Sequence, residues 1–401
     1  MKIAIVTPSV HRRGGTEKCL AWLTEDLSQV CDVTLYVGDL ADTDVSRVRV
    51  QRLPMIGHPR LLRYVTFLAS NTLVFLWRRL RGRPAFDAVI TTGGDCFWCD
   101  FVYAHFCCAA WSEMLLRREA ALPARSLRQR LRNLHYRIFL AVAAAVERTI
   151  YRRPSLRAAI AVSGGTKDDL IRFYGVAPDS VAVVPNAVDD RVRLGPEDRR
   201  RCRDEIRARH RIREESVVLL FVGAGDWKRK GLLAVLEALA MLKDLDLHLV
   251  VVGREDVPYY EKEALRLGVG DRVVFAGFRK DIERYYASAD IFVYPSAYEA
   301  FSLVSLEAAG AGLPLLVSRV NGTEDLVSPG VNGLFVEREP SDIAAKIRLL
   351  AVDPVLRGRM AAASAQASRA YSRQAVAERV LGLLQSRPAA PARAASGPQR
   401  P

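Results

Sequence analysis

The sequence predicts an α/β protein made of two doubly wound parallel-sheet domains, and three observations lead there. Short β-branched runs alternate with longer helical patterns along most of the chain. The alternation occurs twice, on either side of a proline-led, strongly charged stretch. At 401 residues and 50% hydrophobic content, the chain exceeds one ordinary domain and has enough apolar material for two cores.

The first series comprises strand-like Ile3–Thr7, a helix over Thr16–Ser28, then Asp32–Val37, Asp87–Thr92 and Ala158–Ser163. The second is cleaner: Val217–Gly223, helix Leu232–Lys243, Leu247–Gly253, helix Tyr259–Leu267, Val273–Gly277, helix Ile282–Ala289, Ile291–Pro295, helix Phe301–Ala309 and Pro314–Ser318. Pro185-Asn186-Ala187-Val188-Asp189 and the charged Arg191–Arg213 separate the two, so the boundary is expected near 185–215, with domains over 1–185 and 186–372. Two such units imply a cleft between them. Further helical patterns run over about 341–370 and 373–386, and the Pro/Ala/Arg/Ser-rich tail 387–401 has nothing to bury and is expected to be disordered.

The formal net charge of +14 implies an anionic partner: nucleic acid, an acidic membrane face or phosphorylated substrates. Between Ser112 and Arg157 stand eleven Arg and three Glu, a local excess of eight positive charges. The seven cysteines are an odd number, and Lys2-Ile3-Ala4-Ile5-Val6 reads as a strand rather than a leader, so a reducing cytosol is the expected home. Every apolar run falls short of the roughly 20 residues that a spanning helix needs.

The strongest local signal is Glu299-Ala300-Phe301-Ser302-Leu303-Val304-Ser305-Leu306-Glu307, between a strand and a helix. One carboxylate before a helix and another about two turns into it can project toward one crevice at the C-terminal end of the strand, where open α/β sheets bind ligands. Unpaired amides of the Ala300–Leu303 turn suit a diphosphate, and the carboxylates suit sugar and ribose hydroxyls. For an isolated pair, a helix-end charge and a solvated helix residue would account for both. Their company is Gly223-Ala224-Gly225-Asp226-Trp227-Lys228-Arg229-Lys230-Gly231, a glycine-bearing turn that carries three cations to a helix start, as a phosphate clamp requires. Gly14-Gly15, after the first strand, reads equally as a ligand-approach turn or a plain tight turn. His105, after the run Phe101-Val102-Tyr103-Ala104, reads on its own as a structural histidine.

Together these residues resemble the retaining glycosyltransferases of family 4, with the GT-B architecture of two facing Rossmann-like domains, along nearly the whole chain. The resemblance rests on Glu299/Glu307 with Phe301 and the following Ala308–Val317. It is supported by Gly14-Gly15-x-Glu17, Val162-Ser163 with Thr166-Lys167, Val184–Asp189, Arg229-Lys230-Gly231 and Ala289–Ser296. It implies that Arg229 and Lys230 bind the donor diphosphate, Glu307 the ribose hydroxyls and Glu299 the transferred sugar. The amides of Phe301, Ser302 and Leu303 would complete that pocket, Gly14 and Gly15 would approach the phosphates, and His105 would stand near the reacting sugar with Glu299. Helix 373–386 would rejoin the N-terminal domain. The implied mechanism is same-face attack, with the leaving phosphate oxygen helping to deprotonate the acceptor and with no metal or other cofactor.

Many members place an Arg directly after the strand glycine, where this chain has Ala224-Gly225-Asp226-Trp227. The form Gly-x-Asp-x-x-Arg-Lys-Gly, with Tyr103–Cys107 and Val146-Glu147-Arg148, is most similar to the lipopolysaccharide-core glucosyltransferases. That similarity implies UDP-glucose as donor and a sugar on a membrane lipid or cell-envelope glycan as acceptor.

Residues 60–83 hold a 14-residue apolar stretch, Tyr64–Trp77, between arginine clusters; with the Arg-rich 112–157 tract they are expected to bind an anionic membrane surface, at the inner face of the cytoplasmic membrane. A buried amphipathic helix is the alternative for Tyr64–Trp77. Cys96, Cys99, Cys107 and Cys108 read as small buried hydrophobes, the last two on opposite faces of a strand, rather than as a metal site. Two rival functions remain open: a sugar-nucleotide epimerase on the same fold, and a nucleic-acid-binding protein. Against the second, aromatics do not interleave with the basic tract as a stacking platform requires, so no nucleic-acid partner is expected.

Overall fold

The computed structural model describes residues 1–82, 85–121 and 126–386, with the backbone alone over 118–121. The chain forms two compact units: Met1–Val162 with Thr166–Val184 and the chain from Ala377, and Ser163–Gly165 with Pro185–Val376. The tail from Arg387, Arg83 and residues 122–125 of the basic tract lie outside the described residues.

The first unit holds a seven-stranded sheet ordered β3-β2-β1-β4-β5-β6-β7, from β1 (Lys2–Val10), β2 (Asp32–Leu40), β3 (Val48–Arg52), β4 (Ala88–Thr92), β5 (Phe101–Ala104), β6 (Ala158–Ala161) and β7 (Val181–Val183). The second holds a six-stranded sheet ordered β10-β9-β8-β11-β12-β13, from β8 (Val217–Ala224), β9 (Leu247–Arg254), β10 (Val273–Gly277), β11 (Ile291–Tyr294), β12 (Leu315–Val317) and β13 (Gly333–Phe335). Every pairing is parallel. Parallel strands are covered on both faces, which is why β8 and the Leu249–Val252 stretch of β9 read as continuous apolar runs. In each sheet the order reverses beside the first strand, at β1/β4 and at β8/β11, and a crevice at the C-terminal ends of those strands is the natural ligand site of such a sheet.

Local departures from the sequence expectation have physical causes. The strand β3 alternates valine with arginine and glutamine and lies at the sheet edge, so no apolar run marks it. The helix from Leu232 ends at Ala240, although Leu242 beyond it stays buried; the apolar spacing outlasts the helical backbone. β5 stops at Ala104, so Cys107 precedes and Cys108 opens the Cys108–Ala121 helix; the two do not stand on opposite faces of a strand, and both are buried as free thiols.

Tyr64–Trp77 lies within the Arg60–Leu80 helix, which buries Phe67, Asn71 and Phe75 and exposes Leu62, Val65, Leu73, Leu76, Trp77 and Leu80. The helix is thus packed on one face and apolar toward solvent on another. Among the described residues no helix is long and apolar enough to cross a membrane.

In the second unit, Asp290 ties the Pro196–Arg209 helix to the sheet. It accepts from Arg203 at 2.9 Å, from the almost fully buried Arg207 at 2.7 Å and from the Val218 amide at 2.8 Å.

Candidate functional site

At the end of β8 the chain turns through Gly225 (φ +69) and Asp226 (φ +50), then forms one helical turn, Trp227–Lys230, where the sequence suggested only a loop. Asp226 caps that turn by accepting from the Arg229 amide at 3.3 Å. Trp227 is wholly buried, and its indole N–H donates to the Gly223 carbonyl at 2.6 Å, anchoring the turn in the core. Gly223 serves a close approach: a Cβ there would stand 2.9 Å from Lys230 Cδ. Gly231, at φ +84, would place a Cβ 2.4 Å from the Pro295 carbonyl, so only glycine lets the turn lie against the loop after β11.

That loop carries Glu299. Its Oε1 accepts from Tyr294 Oη at 2.9 Å, Ser296 Oγ at 3.0 Å and Arg229 Nη1 at 3.0 Å. Arg229 also donates to the Tyr298 carbonyl and pairs with Asp226 at 3.3 Å. Burial works against its charge, but the facing Glu299 carboxylate prevails and holds its pKa above the ordinary value. Arg229 is therefore engaged in fixing Glu299.

Lys230 differs. It is only 8% exposed, its Nζ lies 5.4 Å from the centre of the Tyr294 ring, and among the described residues no hydrogen-bond acceptor reaches it. Burial, reinforced by Arg229, lowers its pKa, and Glu299 partly counters this. A lysine this far withdrawn from water and without a hydrogen-bonding anion loses hydration that an anionic ligand would offset.

The Leu303–Gly310 helix starts two residues later than the sequence suggested, with Ser302 at its N-cap position. The Leu303 amide donates to the Phe301 carbonyl at 3.1 Å, so it is not one of the free donors expected of this turn. Ser302 Oγ and Ser305 Oγ bond each other at 2.7 Å, and Phe301 packs on Gly322. Glu307, one turn on and 7% exposed, accepts from Tyr286 Oη at 3.0 Å. The structure thus brings Arg229, Lys230 and Glu299 together at the β8/β11 reversal, with Phe301, Ser302, Leu303 and Glu307 on the loop and helix that follow β11.

Gly14, Gly15 and His105 belong to the first unit. Gly14 precedes the Gly15–Leu27 helix, and a Cβ there would lie 2.2 Å from Glu17 Oε2, so the glycine leaves room for the Glu17 carboxylate at the helix start. His105 is 7% exposed, its ring centre lies 4.4 Å from that of Tyr103, and among the described residues neither ring nitrogen has a partner. Burial pushes its pKa down to about 3, so the imidazole is neutral at physiological pH, with one nitrogen donating and one accepting.

His105 and Glu17 line a cavity of about 640 Å³ in this unit, at the β1/β4 reversal. Two acids that sequence reasoning passed over as site candidates line it as well, Glu147 buried and Asp95 partly buried. Glu147 accepts from the Cys108 amide at 3.1 Å and from Tyr174 Oη, and Asp95 accepts from Thr92 Oγ1 at 2.7 Å. Burial raises both carboxyl pKa values, that of Asp95 to about 7. The signal for Asp95 was the glycine pair Gly93-Gly94 after a buried strand, which also describes an ordinary turn.

Comparison with known proteins covers both units. Residues 13–192 match the family model described as Glycosyltransferase Family 4, and residues 202–367 match that described as Glycosyl transferases group 1. The uncharacterized glycosyltransferase MJ1607 of Methanocaldococcus jannaschii is 27% identical over 360 residues, 86% of this chain and 87% of that protein. The lipopolysaccharide core biosynthesis glycosyltransferase LpsE of Rhizobium meliloti is 34% identical over 163 residues, 40% of this chain and 48% of that protein. The chain thus spans about half the length of that relative, as it does of a D-inositol 3-phosphate glycosyltransferase of Catenulispora acidiphila (54%).

Among solved structures, WaaG, a glycosyltransferase involved in lipopolysaccharide biosynthesis, superposes with a TM-score of 0.73 at 21% identity, over 96% of this chain and 100% of that one. Anabaena Alr3699/HepE, in complex with UDP and glucose, gives 0.70 at 18% identity, over 96% and 100%. At these identities the superpositions speak for the fold, and the family models speak for the class of enzyme. The protein is a glycosyltransferase of family 4 with the GT-B fold.

Proposed function

We propose that the protein moves glucose from UDP-glucose, with retention of configuration, to a sugar on a membrane lipid or cell-envelope glycan of the lipopolysaccharide-core kind. The carrying observation is Lys230, a lysine 8% exposed that no hydrogen-bond acceptor reaches among the described residues, beside a carboxylate that three donors hold in place. Lys230 meets the donor diphosphate, and Arg229 fixes Glu299 and adds countercharge. Glu299 receives hydroxyls of the transferred sugar, Glu307 those of the ribose. The amides of Phe301 and Ser302, and the Gly14-Gly15 turn, approach the polar groups of the donor. His105, neutral, offers a hydrogen bond to the reacting sugar.

In the transfer, the bond from the sugar C1 to the diphosphate oxygen breaks and a bond from C1 to the acceptor oxygen forms on the same face. The acceptor proton passes to the departing diphosphate oxygen, so UDP leaves with it and no protein nucleophile is needed. The preference for UDP-glucose is supported by the complex of the HepE fold relative with UDP and glucose, and the acceptor class by the involvement of WaaG and LpsE in lipopolysaccharide biosynthesis.

A membrane role is supported by two exposed faces. The Leu127–Tyr151 helix exposes Leu127, Leu131, Leu134 and Ile138 at helical spacing, among the exposed Arg128, Arg130, Arg132 and Arg137. The Arg60–Leu80 helix exposes Leu73, Leu76, Trp77 and Leu80 next to Arg79. Apolar side chains flanked by cations suit the boundary of an anionic bilayer.

Calorimetric titration with UDP, UDP-glucose, UDP-galactose and UDP-N-acetylglucosamine tests the donor assignment. Micromolar binding that favours UDP-glucose and is lost in Glu307→Ala is the expected outcome. Binding that survives in the variant, or silence across the panel, overturns it.

A further inference from the structure

We propose that Tyr294 is a positioning residue for the transfer: its hydroxyl, bonded to Oε1 of Glu299, leaves Oε2 of that carboxylate as the oxygen that takes a hydroxyl of the transferred sugar. This rests on the donor assignment above and adds to it a residue that acts on the sugar through Glu299. Tyr294 closes β11 and is 1% exposed, with its ring centre 5.6 Å from that of Phe221 and 5.8 Å from that of Phe292. Ile291, Phe292 and Val293 before it are apolar, so the strand itself asks only for an apolar ring, and Phe would fill the same space.

The hydroxyl is the exception in that setting. Among the described residues its one hydrogen-bond partner is Glu299 Oε1, at 2.9 Å. Burial and the facing carboxylate raise the phenol pKa well above its ordinary value, so the group stays protonated and donates.

The donors on Glu299 are unevenly placed. Tyr294, Ser296 and Arg229 all reach Oε1, and among the described residues none reaches Oε2. A carboxylate offers about four lone-pair sites over its two oxygens, so three donors saturate Oε1 and direct a further hydroxyl to Oε2. The Glu299 side chain is 16% exposed, which leaves it within reach of a ligand. Two of the donors are shared: Ser296 Oγ also lies 3.2 Å from the Tyr298 carbonyl, and Arg229 also serves Asp226 and Tyr298. Tyr294 gives its single proton to Glu299 from a buried strand, so it is the donor that sets where the carboxylate stands.

The Tyr294 ring has a separate contact. Lys230 Nζ lies 5.4 Å from its centre, within the about 6 Å reach of a cation–π interaction. Tyr294→Phe keeps that ring under the ammonium assigned to the diphosphate and removes only the donor to the carboxylate assigned to the sugar. The substitution therefore separates the two halves of the donor.

Calorimetry on the full chain, with UDP and with UDP-glucose, compares wild type, Tyr294→Phe, Glu299→Ala and the double variant. In Tyr294→Phe, UDP affinity should stay within two-fold of wild type while UDP-glucose affinity falls about five-fold or more, the scale of one misplaced hydrogen bond. Glu299→Ala should lower UDP-glucose affinity at least as far, and adding Tyr294→Phe to it should change that affinity by less than about two-fold, because the positioned group is already gone. Unchanged UDP-glucose affinity in Tyr294→Phe, an equal fall for both ligands, or a further fall in the double variant overturns the role of Tyr294. Silence of wild type toward both ligands would instead overturn the donor assignment, and wild-type binding of UDP-glucose by Glu299→Ala would overturn the contact of Glu299 with the sugar, so the failures are distinguishable.

Discussion

Replacing Asp95 by Asn should stabilise the protein, and more so as the pH rises. In the fold, burial pushes the Asp95 carboxyl from its ordinary 3.8 up to about 7, and the neighbouring Glu147 adds to this while the Thr92 hydrogen bond opposes it. The groups facing it from the packed helices are Tyr64 and Glu147, with His105 neutral on the same cavity wall. Between pH 3.8 and about 7 the folded chain therefore holds a proton that the unfolded chain has released. Stability from this group is complete below the lower value and is lost progressively up to the higher one.

At 1.36 kcal/mol per pH unit the loss is at most about 4 kcal/mol. Asn carries no such titration and can still accept from Thr92. Urea melts of wild type and Asp95→Asn should therefore show a gap that widens by roughly 2–3 kcal/mol between pH 4.5 and pH 8. A pH-independent gap, or one that widens toward acid, would refute the assignment of a proton-holding Asp95.

Three further outcomes are expected. Lys230→Ala should weaken UDP-glucose binding by on the order of 1.5–3 kcal/mol, the cost of a lost charge-assisted contact, and near-normal affinity by calorimetry would remove Lys230 from the donor site. Asp290→Ala strands Arg207, which is 4% exposed, and should destabilise the fold by about 3–5 kcal/mol in chemical denaturation; a loss below about 1 kcal/mol would show that solvent readily reaches that arginine. Co-sedimentation with phosphatidylglycerol-containing vesicles should be strong at low salt, should fall as salt is raised, and should weaken in Leu131→Asp; equal binding to neutral vesicles would refute the electrostatic part.

Much of the fold was written locally. Runs such as Val217–Val222 and Leu249–Val252 are apolar throughout because a central parallel strand is buried on both faces, so the chain announces them without any partner in view. Edge strand β3 and the single helical turn Trp227–Lys230 were missed for the converse reason. One is pleated against solvent on its outer edge, and the other is shorter than a helical period of evidence.

Residue types and spacing alone marked Glu299, Glu307, Arg229 and Lys230 as a group. Their division of labour depends on contacts between positions far apart in the chain. Arg229 reaches across about seventy residues to Glu299, while Lys230, its neighbour, turns its ammonium over Tyr294 and keeps it unbonded. His105 and Asp95 were in plain view as one lone histidine and one turn aspartate. Burial against the wall of a cavity, which no local pattern encodes, is what strips His105 of water and leaves its two ring nitrogens without partners among the described residues.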